Sequence, residues 1–351
     1  MSKTIVRLAG DGVGPEVMAA AARVLDAAAE RFRLELDYID MPFGGAAGEA
    51  ASAPLPVDTL EACLSADAVL LGAVGGPQFD ALPPEQRPET GLLALRRALG
   101  VYANLRPVAC HAAGAARSPF REGHLDGVDI LFVRELTGGA YFGAKTEGDG
   151  FARDDWIYTE EEIARMVRRA GAAARRRKGR VTSVDKANVL ATSRLWRRVA
   201  TRVMAEEFPD VALEHMLVDA MAMALIARPR DFDVVVSENL FGDILTDEAS
   251  MLAGSIGLLP SASLGEGTHG LYEPVHGSAP DIAGENRANP VGMILSAAMM
   301  LEMSLDAPEA ARAVRNAVDR ALAGGALTAD LGGEMGCAAM GAAIAQRLDT
   351  A

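Results

Sequence analysis

Short unbroken apolar runs alternate with helix-spaced apolar positions along this chain, and that alternation constrains the fold more than any other feature. Residues 68–74 are apolar throughout, and 129–133 and 233–237 are similar runs. A strand wetted on one face alternates apolar with polar; runs like these suit strands covered on both faces. Thr4 to Leu8 and the segment carrying Leu34, Leu36 and Tyr38 keep the alternation of half-buried strands. Between them, Val17, Ala21, Val24, Leu25, Ala28 and Phe32 recur at helical spacing, and helices are expected over 57–64, 90–99, 159–176, 193–207, 244–252 and 290–305. Strands interleaved with helices predict an α/β protein with a largely parallel core.

Size and charge narrow the function. At ~150 residues per domain, 351 residues suggest about two domains. A net charge of −14, from 34 basic and 48 acidic residues, repels phosphate backbones, so nucleic acid is not an expected partner. The basic run Arg175-Arg176-Arg177-Lys178-Gly179-Arg180 is read as the solvated last turn of a helix, where cations suit the dipole. The apolar run from Val291 to Leu301 is closed by Glu302, short of the ~20 residues a bilayer requires, so no membrane partner is expected. No apolar leader follows Met1, and Cys63, Cys110 and Cys337 lie far apart, which predicts reduced thiols and a cytoplasmic protein. Residues 42–56, 75–88 and 138–154 read as junctions, the last as a protruding hairpin or arm.

The chemistry-bearing residues are scattered. Gly10-Asp11-Gly12-Val13-Gly14-Pro15 reads as a strand-to-helix turn, with Pro15 in the first helical turn, but proline where the third glycine belongs removes the Rossmann fingerprint. Walker, zinc-protease and nucleophile-elbow motifs are absent. Asp243 and Asp247 fall on one helix face after an apolar strand; they suit a hard divalent cation or simply the positive end of the helix dipole. Asp219 sits inside an apolar run and is expected to have a cationic partner. Arg96, Arg106 and Arg134 adjoin apolar segments, as carboxylate clamps or as separate ion pairs. Lys186 is one of four lysines, the others being Lys3, Lys145 and Lys178, and follows a strand; a desolvated lysine can act as a base. Tyr141 alone reads as aromatic packing.

Taken together and in order, several segments resemble one family. They are Ala9 to Glu16, Asn104-Leu105-Arg106-Pro107, Val133-Arg134-Glu135-Leu136-Thr137-Gly138-Gly139, Asp185-Lys186-Ala187-Asn188-Val189-Leu190, Asn239-Leu240-Phe241-Gly242-Asp243-Ile244-Leu245 and His276-Gly277-Ser278-Ala279-Pro280-Asp281-Ile282-Ala283-Gly284. Over essentially the whole chain the sequence is similar to the β-decarboxylating dehydrogenases of the isocitrate/isopropylmalate dehydrogenase family. The resemblance implies a non-Rossmann α/β fold with one large mixed sheet spanning two domains. A discontinuous cofactor-side domain would cover 1–101 and 255–351. A substrate and dimerisation domain would cover 102–254, with its arm near 138–158.

The resemblance also implies roles. Arg96, Arg106 and Arg134 match the arginines that hold substrate carboxylates, and Glu89, Leu92, Leu93 and Val189 the positions that meet its side group. Asp219, Asp243 and Asp247 match the acids that hold Mg²⁺ or Mn²⁺. Tyr141 matches a proton donor. Lys186, the base, and Asp219 match residues lent by the neighbouring subunit, which implies a homodimer with shared active sites. His276, Gly277, Ser278, Ala279, Pro280, Asp281, Ile282 and Asn289 match the adenosine-binding loop, with Asp281 favouring NAD over NADP. The implied reaction is oxidative decarboxylation of (2R,3S)-3-isopropylmalate to 4-methyl-2-oxopentanoate and CO₂, in leucine biosynthesis. Burying an isopropyl group against leucines contributes roughly 2 kcal/mol, enough to rank substrates without excluding D-malate, tartrate or homoisocitrate. A silent regulatory subunit is the alternative of another class. Cys337, Gln78 and Phe79 depart from the usual residues and are given no role.

Overall fold

The computed structural model describes residues 2–348 apart from Ser52 and Glu122. The chain opens with β1 (Lys3–Gly10), α1 (Gly14–Phe32), β2 (Leu36–Asp40), α2 (Gly45–Ala51), α3 (Val57–Ser65) and β3 (Ala68–Ala73). It continues through α4 (Pro88–Ala98), β4 (Ala103–Ala109), α5 (Ala112–Ala115), β5 (Asp129–Glu135), β6 (Lys145–Gly148), β7 (Phe151–Asp154) and α6 (Glu160–Ala174). Next come β8 (Arg180–Asp185), α7 (Ala191–Glu207), β9 (Ala212–Leu217), α8 (Val218–Ala227), β10 (Val234–Ser237) and α9 (Asn239–Ala253). The last elements are β11 (Pro260–Leu264), β12 (Gly270–Pro274), α10 (Val291–Met303), α11 (Pro308–Ala323) and α12 (Cys337–Leu348). They group into two compact units: Met1–Val101 with His111–Pro119 and Ala253–Ala351, and Tyr102–Cys110 with Phe120–Leu252. Residues 111–119 thus join the first unit, where Gly114 lies so close to Ala253 that a Cβ would come within 1.9 Å of its carbonyl.

In the first unit the strand order is β2-β1-β3-β12-β11. Neighbours are parallel except the β11–β12 pair. All six residues of β3 are buried, as its unbroken apolar run requires. On α1 the helix-spaced Val17, Ala21, Val24, Leu25 and Ala28 are the buried face. The glycine-rich turn between β1 and α1 is a crossing point for backbone. Buried Asp11 accepts hydrogen bonds from the amides of Gly45, Ala46 and Gly75, each at 2.9 Å. Gly12 has φ +57°, and a Cβ there would come within 2.0 Å of the Ser278 carbonyl, which accepts the Val13 amide at 2.8 Å. The turn therefore braces the loop beginning at His276.

In the second unit the order is β4-β5-β10-β8-β9, antiparallel only between β4 and β5. Ile163, Met166, Val167 and Ala170 of α6 and Trp196, Val199 and Val203 of α7 share one core with Val133, Val181, Val234 and Val236. A capping box opens α6: Thr159 accepts the Glu162 amide while the Glu162 carboxylate accepts the Thr159 amide. The 138–154 junction contains the exposed hairpin β6–β7. The basic run lies just past the end of α6, whose last turn holds no basic residue; Arg175 pairs with exposed Asp210, whereas Arg177 pairs with exposed Asp129 and with buried Asp233. Among the described residues no helix is long and apolar enough to cross a membrane.

Two expectations change. The helix expected from Ile244 starts at Asn239, so Leu240 and Phe241 are helical, not loop. The apolar run around Asp219 is a helix, α8, and the Asp219 side chain is 60% exposed in its first turn, not buried.

Candidate active site

In the second unit β4, β5 and α9 bring Arg106, Arg134, Tyr141, Asp243 and Asp247 together. Arg134, near the C-terminal end of β5, is buried and ion-paired with Asp243. Its guanidinium also donates to the Asn239 side-chain oxygen, at 2.8 Å from Nη2. Arg106 of β4 is held by Asn104 Oδ1 at 2.7 Å and Thr246 Oγ1 at 2.6 Å, and lies 3.8 Å from Asp243 and 3.7 Å from Asp247. Tyr141 donates to Asp243 Oδ2 at 2.7 Å, with the Arg134 guanidinium 5.8 Å from its ring centre. Burial, and then the hydrogen bond to Asp243, pushes the Tyr141 phenol up to about 12. It keeps its proton at neutral pH. Desolvation and the neighbouring Asp243 raise the Asp247 carboxyl above its ordinary range. Two cations and two acids a helical turn apart form a polarised surface matched to a carboxylate-bearing ligand and a hard cation.

Lys186, just past β8, meets Asp219 of α8 at 2.7 Å. That hydrogen bond is the chief reason the Asp219 carboxyl sits below its ordinary range. The expected cationic partner of Asp219 is therefore Lys186. Within one chain Asp219 does not join Asp243 and Asp247, and among the described residues no group of three or more His, Cys, Asp or Glu side chains could hold a metal ion. Val189, in the following turn, is 63% exposed.

In the first unit, Arg96 in the last turn of α4 is buried and bonds Glu273 at 2.7 Å, while its Nε is buried without a partner. A buried donor left open invites an acceptor. Leu92 and Leu93 of α4 are half-buried, Leu92 packing on a core that includes Phe43, Leu71 and Leu95. Glu89 lies against Gly75, where a Cβ would meet its Oε1 at 2.3 Å. A separate cavity of about 560 Å³ is lined by His276, Gly277, Ala279, Ile282 and Asn289 of the expected loop. Ser278, Pro280 and Asp281 do not line it; the buried Ser278 faces the glycine turn instead, and Asp281 is exposed.

The family model for isocitrate/isopropylmalate dehydrogenase matches residues 4–344. The chain belongs to the isocitrate/isopropylmalate dehydrogenase family. A 3-isopropylmalate dehydrogenase of Streptococcus thermophilus (strain CNRZ 1066) is 54% identical over 348 residues, covering 99% of this chain and 100% of the relative. One from Bacillus subtilis (strain 168) is 55% identical over 337 residues, covering 94% and 92%. Among solved structures, isocitrate dehydrogenase from Methylococcus capsulatus superposes with a TM-score of 0.88 at 35% identity, covering 99% of each chain. A β-decarboxylating dehydrogenase from Thermococcus kodakarensis superposes with a TM-score of 0.81 at 37% identity, covering 99% of this chain and 96% of its own.

Two features fit a member of the isocitrate/isopropylmalate dehydrogenase family. The oxygen-only donors Asp243 and Asp247 suit Mg²⁺ or Mn²⁺, not a soft metal. His276 Nε2 is buried beside the cavity without a hydrogen-bond partner, as an opening for a polar ligand atom requires. Val13 of the glycine-rich turn also lines the cavity, and Ser255, Ile256, Arg287 and Asp330, which line it too, had no signal in the sequence. Asp330 is brought in by Asn289 at 2.9 Å and by Ser255, two contacts across long sequence separations.

Proposed function

We propose that this chain catalyses the NAD-dependent oxidative decarboxylation of (2R,3S)-3-isopropylmalate to 4-methyl-2-oxopentanoate and CO₂, a step of leucine biosynthesis. The observation that carries the reading is Tyr141 bonded to Asp243, which is itself bonded to Arg134. It joins a proton donor, a metal-type acid and a carboxylate clamp in one hydrogen-bonded chain. Arg96, Arg106 and Arg134 hold the two carboxylates of the substrate. Leu92 and Leu93, with Val189 and Glu89, meet its isopropyl group.

The roles follow from chemistry. Lys186 takes the C2 hydroxyl proton, directly or by relay, as the C2 hydrogen departs as hydride. The 2-oxo group so formed is β to a carboxylate, and the bond from C3 to that carboxylate breaks with loss of CO₂. Tyr141 delivers its phenolic proton to C3 of the resulting enolate. Asp243 and Asp247, with Asp219 of a second subunit, would hold Mg²⁺ or Mn²⁺, which would supply Lewis-acid stabilisation of developing negative charge. His276, Gly277, Ala279, Ile282 and Asn289 would hold NAD in their cavity, and NAD would supply the hydride acceptor. Asp281, exposed on the same loop and outside the cavity lining, would accept hydrogen bonds from the ribose hydroxyls of a cofactor reaching past that lining and would reject a 2′-phosphate by like charge.

The third acid and the base come from a partner copy, and the protein works as a homodimer in the cytoplasm. Supporting this, α8 exposes Met223 at 69% and α9 exposes Ile244 at 58%, apolar faces beside the site's own acids. The test is NAD reduction by purified protein with isopropylmalate, isocitrate, D-malate and tartrate in parallel. Highest kcat/KM on isopropylmalate is expected; higher kcat/KM on another diacid reassigns the substrate, and no turnover with any points to a regulatory subunit.

A further inference from the structure

Behind Tyr141 and Arg134 the second unit buries three ionisable groups that the reaction above does not use. Glu135 ends β5 at 0% exposure, and Glu238, just before α9, is 4% exposed. Tyr158 Oη lies 3.2 Å from Glu135 Oε2 and 3.2 Å from Glu238 Oε2, and accepts the Asn239 amide at 3.1 Å. A phenol has one proton to give. It can donate to one carboxylate. The other carboxyl must carry its own proton and donate to Tyr158 Oη, or two anions face one oxygen that serves only one of them.

Counting donors decides which carboxyl that is. Glu135 Oε1 accepts the Thr137 amide at 2.7 Å and its hydroxyl at 2.9 Å, and Oε2 accepts the Gly138 amide at 2.8 Å. Arg165 of α6 stands 3.6 Å from Glu135 as well. These donors favour the ionised form of Glu135, against the burial that raises its carboxyl above the ordinary range. Glu238 has fewer donors: Oε1 accepts the Phe241 amide, the Leu240 amide also favours its charged form, and Oε2 has Tyr158 as its hydrogen-bond partner. The proton belongs on Glu238 Oε2. Burial raises the Glu238 carboxyl to about 7, and the charge of Glu135 pushes the same way. The groups facing it are Glu135 from β5, Tyr158 from the segment before α6, and Tyr141 from the turn above, with Arg165 behind Glu135.

This cluster touches the site through backbone and one amide. A Cβ on Gly139, at φ +69°, would meet Tyr158 Oη at 2.5 Å and Glu238 Oε2 at 3.2 Å, so the turn leading to Tyr141 rests on it. Asn239, whose amide bonds Tyr158, donates its side-chain amide to the Gly138 carbonyl at 3.2 Å and accepts Arg134 at 2.8 Å. We propose that Glu238 is a positioning residue, fixing through Tyr158 and Asn239 both the Gly138–Gly139 turn that presents Tyr141 and the amide that holds Arg134. This rests on Tyr141 and Arg134 having the roles given above.

Three variants test it: Glu238→Gln, Glu238→Ala and Tyr158→Phe. The amide of Gln keeps a donor for Tyr158 and an acceptor for Phe241 without a charge. Gln is expected to restore what Ala loses: about a tenfold lower kcat for Ala, with KM for NAD unchanged, and near wild-type kcat for Gln. Tyr158→Phe, which removes the shared hydroxyl, should lower kcat as Ala does.

Stability reads the proton independently. The folded carboxyl titrates near 7 against 4.5 for the ordinary group, so its contribution is full below the unfolded value and lost as pH rises through about 7. Gln does not titrate, so its melting temperature should gain on wild type as pH goes from about 5 to about 9. A flat difference across that range overturns the shared proton. Wild-type kcat in folded Ala or Phe variants overturns the positioning role, as does failure of Gln to recover kcat. If Ala does not fold, Tyr158→Phe and Gln decide. Tyr141→Phe in the same assay separates the two readings: full activity there refutes the role of Tyr141, while the melting difference still judges Glu238.

Discussion

Asp243 is the residue on which the most depends, because one carboxylate holds Arg134, takes the Tyr141 hydrogen bond and stands a turn from Asp247. Asn at that position keeps the shape and removes the charge. Asp243→Asn is expected to lower kcat by about a hundredfold or more, with circular dichroism and melting temperature near wild type. Chelator-treated enzyme that keeps full activity would refute the metal assignment behind this expectation. Cofactor choice belongs to the same scale. Asp281 is exposed and does not line the cavity, so it can be exchanged without disturbing packing. Asp281→Lys with Ile282→Tyr should weaken or reverse a strong NAD preference, read as kcat/KM for NAD and NADP; equal wild-type values would dismiss Asp281 as the discriminator. Single residues were legible unevenly. Tyr141 carries no signal of its own, since a tyrosine among glycines looks like packing until Asp243, far along the chain, is found 2.7 Å away. Asp219 has the cationic partner expected of it but an exposed side chain, because an apolar run says nothing about which face of its helix meets solvent.

Elements carry two further expectations. The capping box of α6 satisfies two backbone amides that otherwise have no intrahelical partner, so Thr159→Ala should lower unfolding free energy by about 1 kcal/mol in urea titration, with kcat unchanged. Gly12→Ala should do more damage, at least about 2 kcal/mol, since the new Cβ strikes the Ser278 carbonyl at a positive φ. Because Ser278 belongs to the loop that lines the cavity, KM for NAD should rise with it; an unchanged KM would mean the turn does not brace that loop. The same elements explain what patterning could reveal. Strand β3, apolar on both faces, and α1, with its apolar stripe, were readable because burial imposes their period. The start of α9 was not, since Ser237-Glu238-Asn239 before Leu240 and Gly242 after Phe241 are residue types that a loop could equally hold. Helices α11 and α12 were not read from the sequence, although α11 buries Ala311, Val314, Val318 and Leu322 at helical spacing. The Gly10–Pro15 turn was legible as a turn but not as a brace, because Asp11 bonds to amides more than thirty residues away.

For the molecule as a whole, one chain supplies two acids at one place and a third acid with the lysine at another. Asp243 and Asp247 share α9 with the Tyr141 contact, whereas Asp219 is tied to Lys186 at 2.7 Å. The proposed homodimer with shared sites would resolve this division, because each site would then draw Lys186 and Asp219 from one copy and Tyr141, Asp243 and Asp247 from the other. Complementation tests it directly. Lys186→Ala and Tyr141→Phe are each expected to be nearly inactive alone. Mixed under conditions that exchange subunits, they form heterodimers in which one site takes its lysine from the Tyr141→Phe copy and its tyrosine from the Lys186→Ala copy. That site is intact and the other lacks both groups. A statistical mixture makes half the dimers heterodimers, each with one working site of two, so activity should approach about a quarter of wild type. Full exchange, verified by differently tagged copies, with no recovered activity would refute the shared site. Strong activity in Lys186→Ala by itself would instead remove the lysine from the role of base.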